Sequence, residues 1–397
     1  MNNKRHLSPI RMPIQSDKII NYSMLFLVVF GLIMVASASM GIAVGDSTYL
    51  IRTVVKQLIF SIGGYIVMVL MAKQFKFDIV KKDAGLLLIA TGIALLVPLA
   101  FSATGGAKAW IRLPFPGIEV TIQPSEFAKI SIMCIIAVYM GDLTRIYNKA
   151  TDIIKAPLTA IFIYVFLVVI MQSDFGSGAV MLMIAGVCFL IPKHPQLRLY
   201  KSILLILIIV GVLAAVILLS PIGEGLIEVV PLQKFQKNRI LSSINPFVDR
   251  YDTGYQLING LISFASGDWL GLGFGNSIRK YTNFPAANTD FILAIVVEEL
   301  GFFGFMLIFL AYFFIIQRLF KYAFLMKSEK GQIILIGTAM YILIHFLLNV
   351  GGVTGLIPLT GVPLLMISAG GSSTLSLMMA IGISQAVITQ YNTGELE

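Results

Sequence analysis

The sequence predicts an all-α polytopic membrane protein of about ten transmembrane helices, with one large extracytoplasmic loop between spans 7 and 8. Three observations point there. Hydrophobic residues make up 57% of the chain and charged residues 12%, with a mean hydropathy of +0.90, far from the balance of a soluble domain. Apolar runs near the ~20 residues that cross a hydrocarbon core recur along the chain. The basic residues cluster in alternate connections, the asymmetry that orients polytopic proteins.

The runs fall at roughly 20–42, 55–72, 85–102, 125–141, 156–172, 174–192, 201–220, 290–316, 331–350 and 372–391. The first follows a basic tail and passes through Ala36-Ser37-Ala38, an A-x-A cleavage pattern. Its length and the polytopic chain behind it favour a retained span over a signal peptide. The fourth opens on Pro124, which suits a first helical turn. The sixth opens less cleanly, on Asp174 with Gly176, Ser177 and Gly178 behind it. The eighth opens on Asp290. This divides the chain into a tail (1–18), a transmembrane domain (19–391, with its large loop at about 221–289) and a second tail (392–397).

An even number of spans puts both termini on one side, and charge says which. With the termini cytoplasmic, inside segments carry 18 of the 29 Lys and Arg residues, among them Lys73, Lys76, Lys81, Lys82, Arg318 and Lys321, against 10 outside and Lys129 within a span. Most of the outside charges lie in the long loop, and short loops count most. The net charge of +9 therefore reports topology, not nucleic-acid binding. Cys134 and Cys188 fall inside spans without pairing or metal-ligand spacing, and His6, His194 and His345 are scattered, so no transition-metal site is encoded. His345 reads as a buried polar contact between helices. No internal repeat of the kind transporters carry is evident.

Three outer segments stand out. Residues 103–124, with Gly105, Gly106, Trp110 and three prolines, read as a re-entrant or interfacial piece. Residues 351–371 are rich in Gly and Pro and hold no charge, as a segment dipping into protein at membrane depth would. The long loop contains Gly271-Leu272-Gly273-Phe274-Gly275, which lacks the strand–turn–helix setting of a nucleotide loop and reads as backbone turning near a surface.

Three constellations could carry chemistry. Asn288-Thr289-Asp290-Phe291 heads the eighth span; Asp290 is either a capping acid at a positive helix end or a general base. Gln123 through Lys129 opens the fourth span, with Glu126 and Lys129 on one face. Gln172-Ser173-Asp174-Phe175-Gly176 lies between the fifth and sixth. Lys129 pairs with Glu126 or reaches Asp174 as an interhelical bridge. Glu298 and Glu299, two turns below Asp290, read as structural, hydrogen-bonded acids.

Together with Trp110-Ile111, Gly254-Tyr255-Gln256, Glu298-Glu299-Leu300-Gly301, Thr354 to Pro363 and Ser368 to Ser373, these segments resemble the shape, elongation, division and sporulation (SEDS) family over about residues 20–390. Departures are Ala286 and Asn288 where the family has Glu and His before its Asp, Ser173 for a Pro and Ala369 for a Tyr. The resemblance implies a peptidoglycan glycosyltransferase of the bacterial cytoplasmic membrane that polymerises lipid II at the outer face with inversion. Asp290 would be the base. Lys108, Arg112, Lys234, Lys237 and Arg239 would be the cations near the pyrophosphate, with Lys129 and Asp174 setting the field beneath. It also implies a class B penicillin-binding transpeptidase and other division proteins as partners. Mg or Mn is compatible with a pyrophosphate donor, although the sequence requires no cofactor. The first span looks more like the division than the elongation branch. A lipid II flippase or an inactive scaffold are the rival functions.

Overall fold

The computed structural model describes residues 11–397 apart from 116–117, 142–148, 221–222, 224, 226, 228–233, 252–253 and 283. Its helices are α1 (Lys18–Ala43), α2 (Ser47–Gln74), α3 (Phe77–Lys82), α4 (Ala84–Leu96), α5 (Pro124–Met140), α6 (Ala150–Phe166), α7 (Phe175–Leu190), α8 (Arg198–Leu218), α9 (Lys234–Ile244), α10 (Tyr255–Gly267), α11 (Ile292–Leu325), α12 (Glu329–Val353) and α13 (Gly371–Asn392). Ten of them, all but α3, α9 and α10, occupy the ten apolar runs. Seven candidate spans are long and apolar enough to cross a membrane; α4, α5 and α7 are shorter. A 3₁₀ turn (Val97–Ala100) extends α4, and a π turn (Leu167–Met171) extends α6.

Lipid tails give helices no hydrophobic reason to associate, so close packing and polar ties hold such bundles. The helix α5 runs through the centre, buried along nearly its whole length and packed by α4, α6, α7, α12 and α13. In α13, 89% of the most apolar stretch is buried; in α8 the figure is 0%, so α8 stands at the periphery of the bundle, touching α7. Between them, α2 lies along α13 and α1 against α2 and α11. Ser384 donates to Thr338 (3.0 Å) and the Gln385 amide to the Asp17 carbonyl (2.9 Å). Such bonds contribute about 0.6 kcal/mol each in a membrane. Near the bundle's edge Arg318 holds Asp17, Nη2 to Oδ2 at 2.5 Å.

Two segments carry local structure that the sequence reading did not specify. Residues 111–115 and 118–122 pair as the two strands of an antiparallel hairpin, β1 (Ile111–Phe115) and β2 (Ile118–Ile122), with Ile111 opposite Ile122. The glycine-rich run at 271–275 does not simply turn at a surface. It pairs with a break in α11. Gly301 has φ +66°, a left-handed value that interrupts the helix ladder and frees backbone groups on both sides. Leu272 and Gly273 donate to the carbonyls of Glu298 and Glu299 (2.9 and 3.0 Å), and Phe302 and Phe303 donate to those of Asp268 and Trp269 (2.8 and 3.2 Å). Backbone opened at membrane depth must find partners in protein, and the long connection supplies them.

That connection also neutralises the acids beside the break. Lys280 reaches Glu299 at 2.8 Å, both side chains fully buried, and Ser37 of α1 donates to the same carboxylate at 2.7 Å. Glu298 accepts from Ser277 (2.5 Å), Ser263 (3.3 Å) and the backbone of Ile278 (3.2 Å). The expected structural role of this pair is what the geometry provides.

Candidate active site

A cavity of about 600 Å³ opens where α5, α7, α9, the turn before α11 and the segment between α12 and α13 converge. Its wall includes Asp290, Arg239, Thr289, Gly361 and Trp110, and its other charged or titratable lining groups are Glu126, Lys129, Asp174 and His345, with Gln123 among the neutral polar ones. The Gly- and Pro-rich stretch 358–363 forms one side, followed by the buried Leu364, Leu365, Met366 and Ile367. This uncharged segment dips into the protein.

Asp290 lies in an irregular turn just before α11. It is not a capping acid: α11 begins without a side-chain cap. Its flanking residues are engaged elsewhere, Asn288 with Ser39 (3.2 Å) and Tyr49 (3.1 Å), Thr289 with the Ala286 carbonyl (3.3 Å). Among the described residues no donor hydrogen-bonds the Asp290 carboxylate. The carboxyl is half-buried. Burial lifts its pKa to about 6, against the pull of Arg239, which acts the other way. Gly361 stands between the two charges: a Cβ built on it would lie 3.7 Å from Asp290 Oδ2 and 3.6 Å from Arg239 Nη1. Its φ of +70° also suits only glycine well. Arg239, exposed on α9, donates to the Leu359 carbonyl at 3.4 Å.

The opposite side is built differently. Lys129, 1% exposed, pairs with Glu126 at 2.8 Å and donates to His345 Nε2 at 3.0 Å. An ammonium has no acceptor, so Nε2 accepts and Nδ1 carries the ring proton, facing the Pro363 carbonyl at 3.5 Å. Tyr341 donates to Glu126 at 2.5 Å and shares a bond with Ser376 at 2.9 Å. The alternative bridge from Lys129 to Asp174 does not form. One turn of α5 places Glu126 beside Lys129, and Asp174 is taken up as the cap of α7, accepting from the Ser177 N–H (3.0 Å) and from Gln123 (2.8 Å).

Of the proposed pyrophosphate cations, Arg239 alone lines the cavity among the described residues. Lys108 sits beside the rim residue Ala107 with its side chain exposed, its backbone N–H tied to the Gln172 carbonyl at 2.8 Å. Arg112 turns along the hairpin, donating to Thr104 and lying 3.6 Å from Glu119. Lys237, half-buried on α9, does not line the wall, and the side chain of Lys234 lies outside the described residues. Sequence reasoning also missed Tyr341 and Asn349. Both lie on α12, which also carries His345, and polar residues at this spacing within one apolar span were the available signal.

An α-helical membrane protein with a half-buried acid and a cation flanking a cavity at its helix ends is built as a membrane-embedded enzyme. The chain belongs to the FtsW/RodA/SpoVE family, whose model, described as a cell cycle protein, matches residues 17–393. It is 33% identical over 379 residues to the probable peptidoglycan glycosyltransferase FtsW of Bacillus subtilis, covering 91% of this chain and 89% of that one. To stage V sporulation protein E of the same organism it is 30% identical, covering 90% and 93%. Its fold matches a chain of a peptidoglycan synthase complex that coordinates polymerization and crosslinking, with a TM-score of 0.71 at 21% identity over 95% of this chain and 98% of that one. The rod shape determining protein RodA of Thermus thermophilus matches with a TM-score of 0.65 at 21% identity, over 95% and 98%.

Proposed function

We propose that this chain is a peptidoglycan glycosyltransferase that polymerises lipid II at the outer face of the bacterial cytoplasmic membrane, in septal synthesis. One observation carries the reading: Asp290 faces the cavity with no hydrogen-bond donor on its carboxylate among the described residues, beside Arg239. The names of the curated relatives support the activity and the division branch.

In this reaction the Asp290 carboxylate takes the proton of the acceptor's 4-hydroxyl. The freed oxygen attacks the donor's anomeric carbon from the face opposite the pyrophosphate, so the configuration inverts. The bond to the pyrophosphate oxygen breaks, and undecaprenyl pyrophosphate leaves with the electron pair. A base with a pKa near 6 is ionised at neutral pH yet retains proton affinity. Arg239 stands where it would pair the leaving phosphates bidentately. Lys129 is committed to Glu126 and His345, so its role is to hold the cavity's shape. A Mg or Mn ion would come with the pyrophosphate.

Both termini are cytoplasmic in this reading and the 221–289 connection is extracytoplasmic, on the strength of the basic-residue bias. A class B penicillin-binding transpeptidase and other division proteins are the partners. The test is lipid II polymerisation by purified protein with its transpeptidase partner, wild type beside Asp290→Asn. Glycan from the wild type alone supports the reading. No glycan from either, in a preparation that binds partner and substrate, overturns it in favour of a flippase or a scaffold.

A further inference from the structure

We propose that Asn349 is a positioning residue for the Asp290 base, fixing through one amide both the segment that carries the carboxylate and the segment that walls it in. The inference rests on the reading of Asp290 given above.

Asn349 lies on α12, 3% exposed, in a span otherwise apolar at this level. Its Nδ2 donates to the backbone carbonyl of Asp290 at 2.8 Å and to that of Val362 at 3.0 Å. Neither carbonyl belongs to a helix. Irregular backbone inside a membrane protein has no ladder to satisfy it and must take donors from elsewhere in the protein. The same logic extends along the turn. Asn288 O accepts from the Ala369 N–H at 2.8 Å, Thr289 O from the Ser368 hydroxyl at 2.8 Å, and Asp290 O from Asn349. Three successive carbonyls of the base-bearing turn are thus held by the end of α12 and the segment after it.

Asn349 differs from the other two donors because its second N–H reaches Val362, next to Gly361. Gly361 is the wall between Asp290 and Arg239. One side chain therefore sets the carboxylate and the wall against each other. A helix contact needing only bulk would use an apolar residue such as Phe346 or Val350. Here the amide touches neither Arg239 nor the cavity surface, so its effect on chemistry runs through Asp290.

Small displacements of a catalytic group cost on the order of 100-fold in rate. Loss of the amide should also let water reach the carboxyl and return its pKa toward that of an ordinary aspartate. Of the charged and titratable groups lining the cavity, Arg239, Asp174, Glu126, Lys129 and His345, Arg239 is the one that acts on Asp290. It stays in place in the experiment.

The experiment compares wild type, Asn349→Ala and Asp290→Asn as full chains with the transpeptidase partner, measuring lipid II polymerisation against substrate concentration and pH. Asn349→Ala is expected to lower kcat ~10- to 100-fold with KM within about twofold, and to move the acid limb of the rate profile to lower pH. If Asn349→Ala does not survive purification, Asn349→Ser, which keeps a shorter donor, should show the same split at smaller size. Unchanged kcat and pH profile, or a lower melting temperature with kinetics intact, would overturn the inference while wild-type polymerisation leaves the reading of Asp290 standing. A wild type that makes no glycan overturns both.

Discussion

Asp290 and the pair Glu298–Glu299 sit two turns apart on one stretch of chain, and they are treated in opposite ways. Glu299 is matched by Lys280 and Ser37, Glu298 by Ser277, Ser263 and backbone N–H groups. Asp290 has its backbone held and its carboxylate bare of donors among the described residues. An acid that serves the fold is saturated with partners. An acid that serves a reaction keeps its lone pairs for a substrate, at a cost to stability.

The sharpest way to break this comparison is to exchange the consequences. Asp290→Asn should abolish polymerisation, by ~100-fold or more, while the protein remains folded and monodisperse. Lys280→Met should do the reverse in kind. It leaves Glu299 buried without its cation, at a cost of about 3–5 kcal/mol, seen as a large fall in melting temperature. Replacing Lys280 and Glu299 together by methionine should recover much of that loss; equal destabilisation in single and double variants would show that the pair is not coupled.

Smaller effects sharpen the contrast. Because the Asp290 pKa is raised to about 6, the rate should rise as pH rises through that value and level off above it. Arg239→Ala removes the charge that opposes the rise, so the acid limb should move to higher pH and KM for lipid II should increase. The smallest effect is on stability. A carboxyl whose folded pKa exceeds its unfolded value favours the fold below the unfolded pKa and loses that contribution as pH climbs through the folded one. At pH 7.5 Asp290→Asn should therefore melt slightly above wild type, with the difference vanishing near pH 4. A melting temperature below wild type at pH 7.5 would count against a strained, desolvated acid.

Much of this was legible in the sequence for a physical reason. Hydropathy reports length in lipid directly, so the ten apolar runs correspond to ten helices, and Pro124 marks the start of α5 as its missing N–H requires. Asp290 was visible because charge is rare at such a position. The partner of Lys129 was not. Glu126 on its own face and Asp174 across a helix boundary are equally plausible from spacing, and the choice depends on Asp174 being used as a cap. Lys108 and Arg112 read as anion ligands because cations near headgroups usually are, but the hairpin turns Arg112 toward Glu119 and leaves Lys108 outside the cavity. The role of Gly271 to Gly275 was hidden for a different reason. The carbonyls it meets are freed by a helix break at Gly301, and an apolar profile does not register a break.

That break ties together residues made far apart in time. Ser37 leaves the ribosome 243 positions ahead of Lys280 and 262 ahead of Glu299, the groups it finally touches. Through most of synthesis, α1 must wait in the bilayer with a serine-bearing face uncovered, and α2 waits still longer for α13. The membrane-inserted chain therefore reaches its functional form only once its late helices arrive, and the cavity around Asp290 is among the last parts to be assembled.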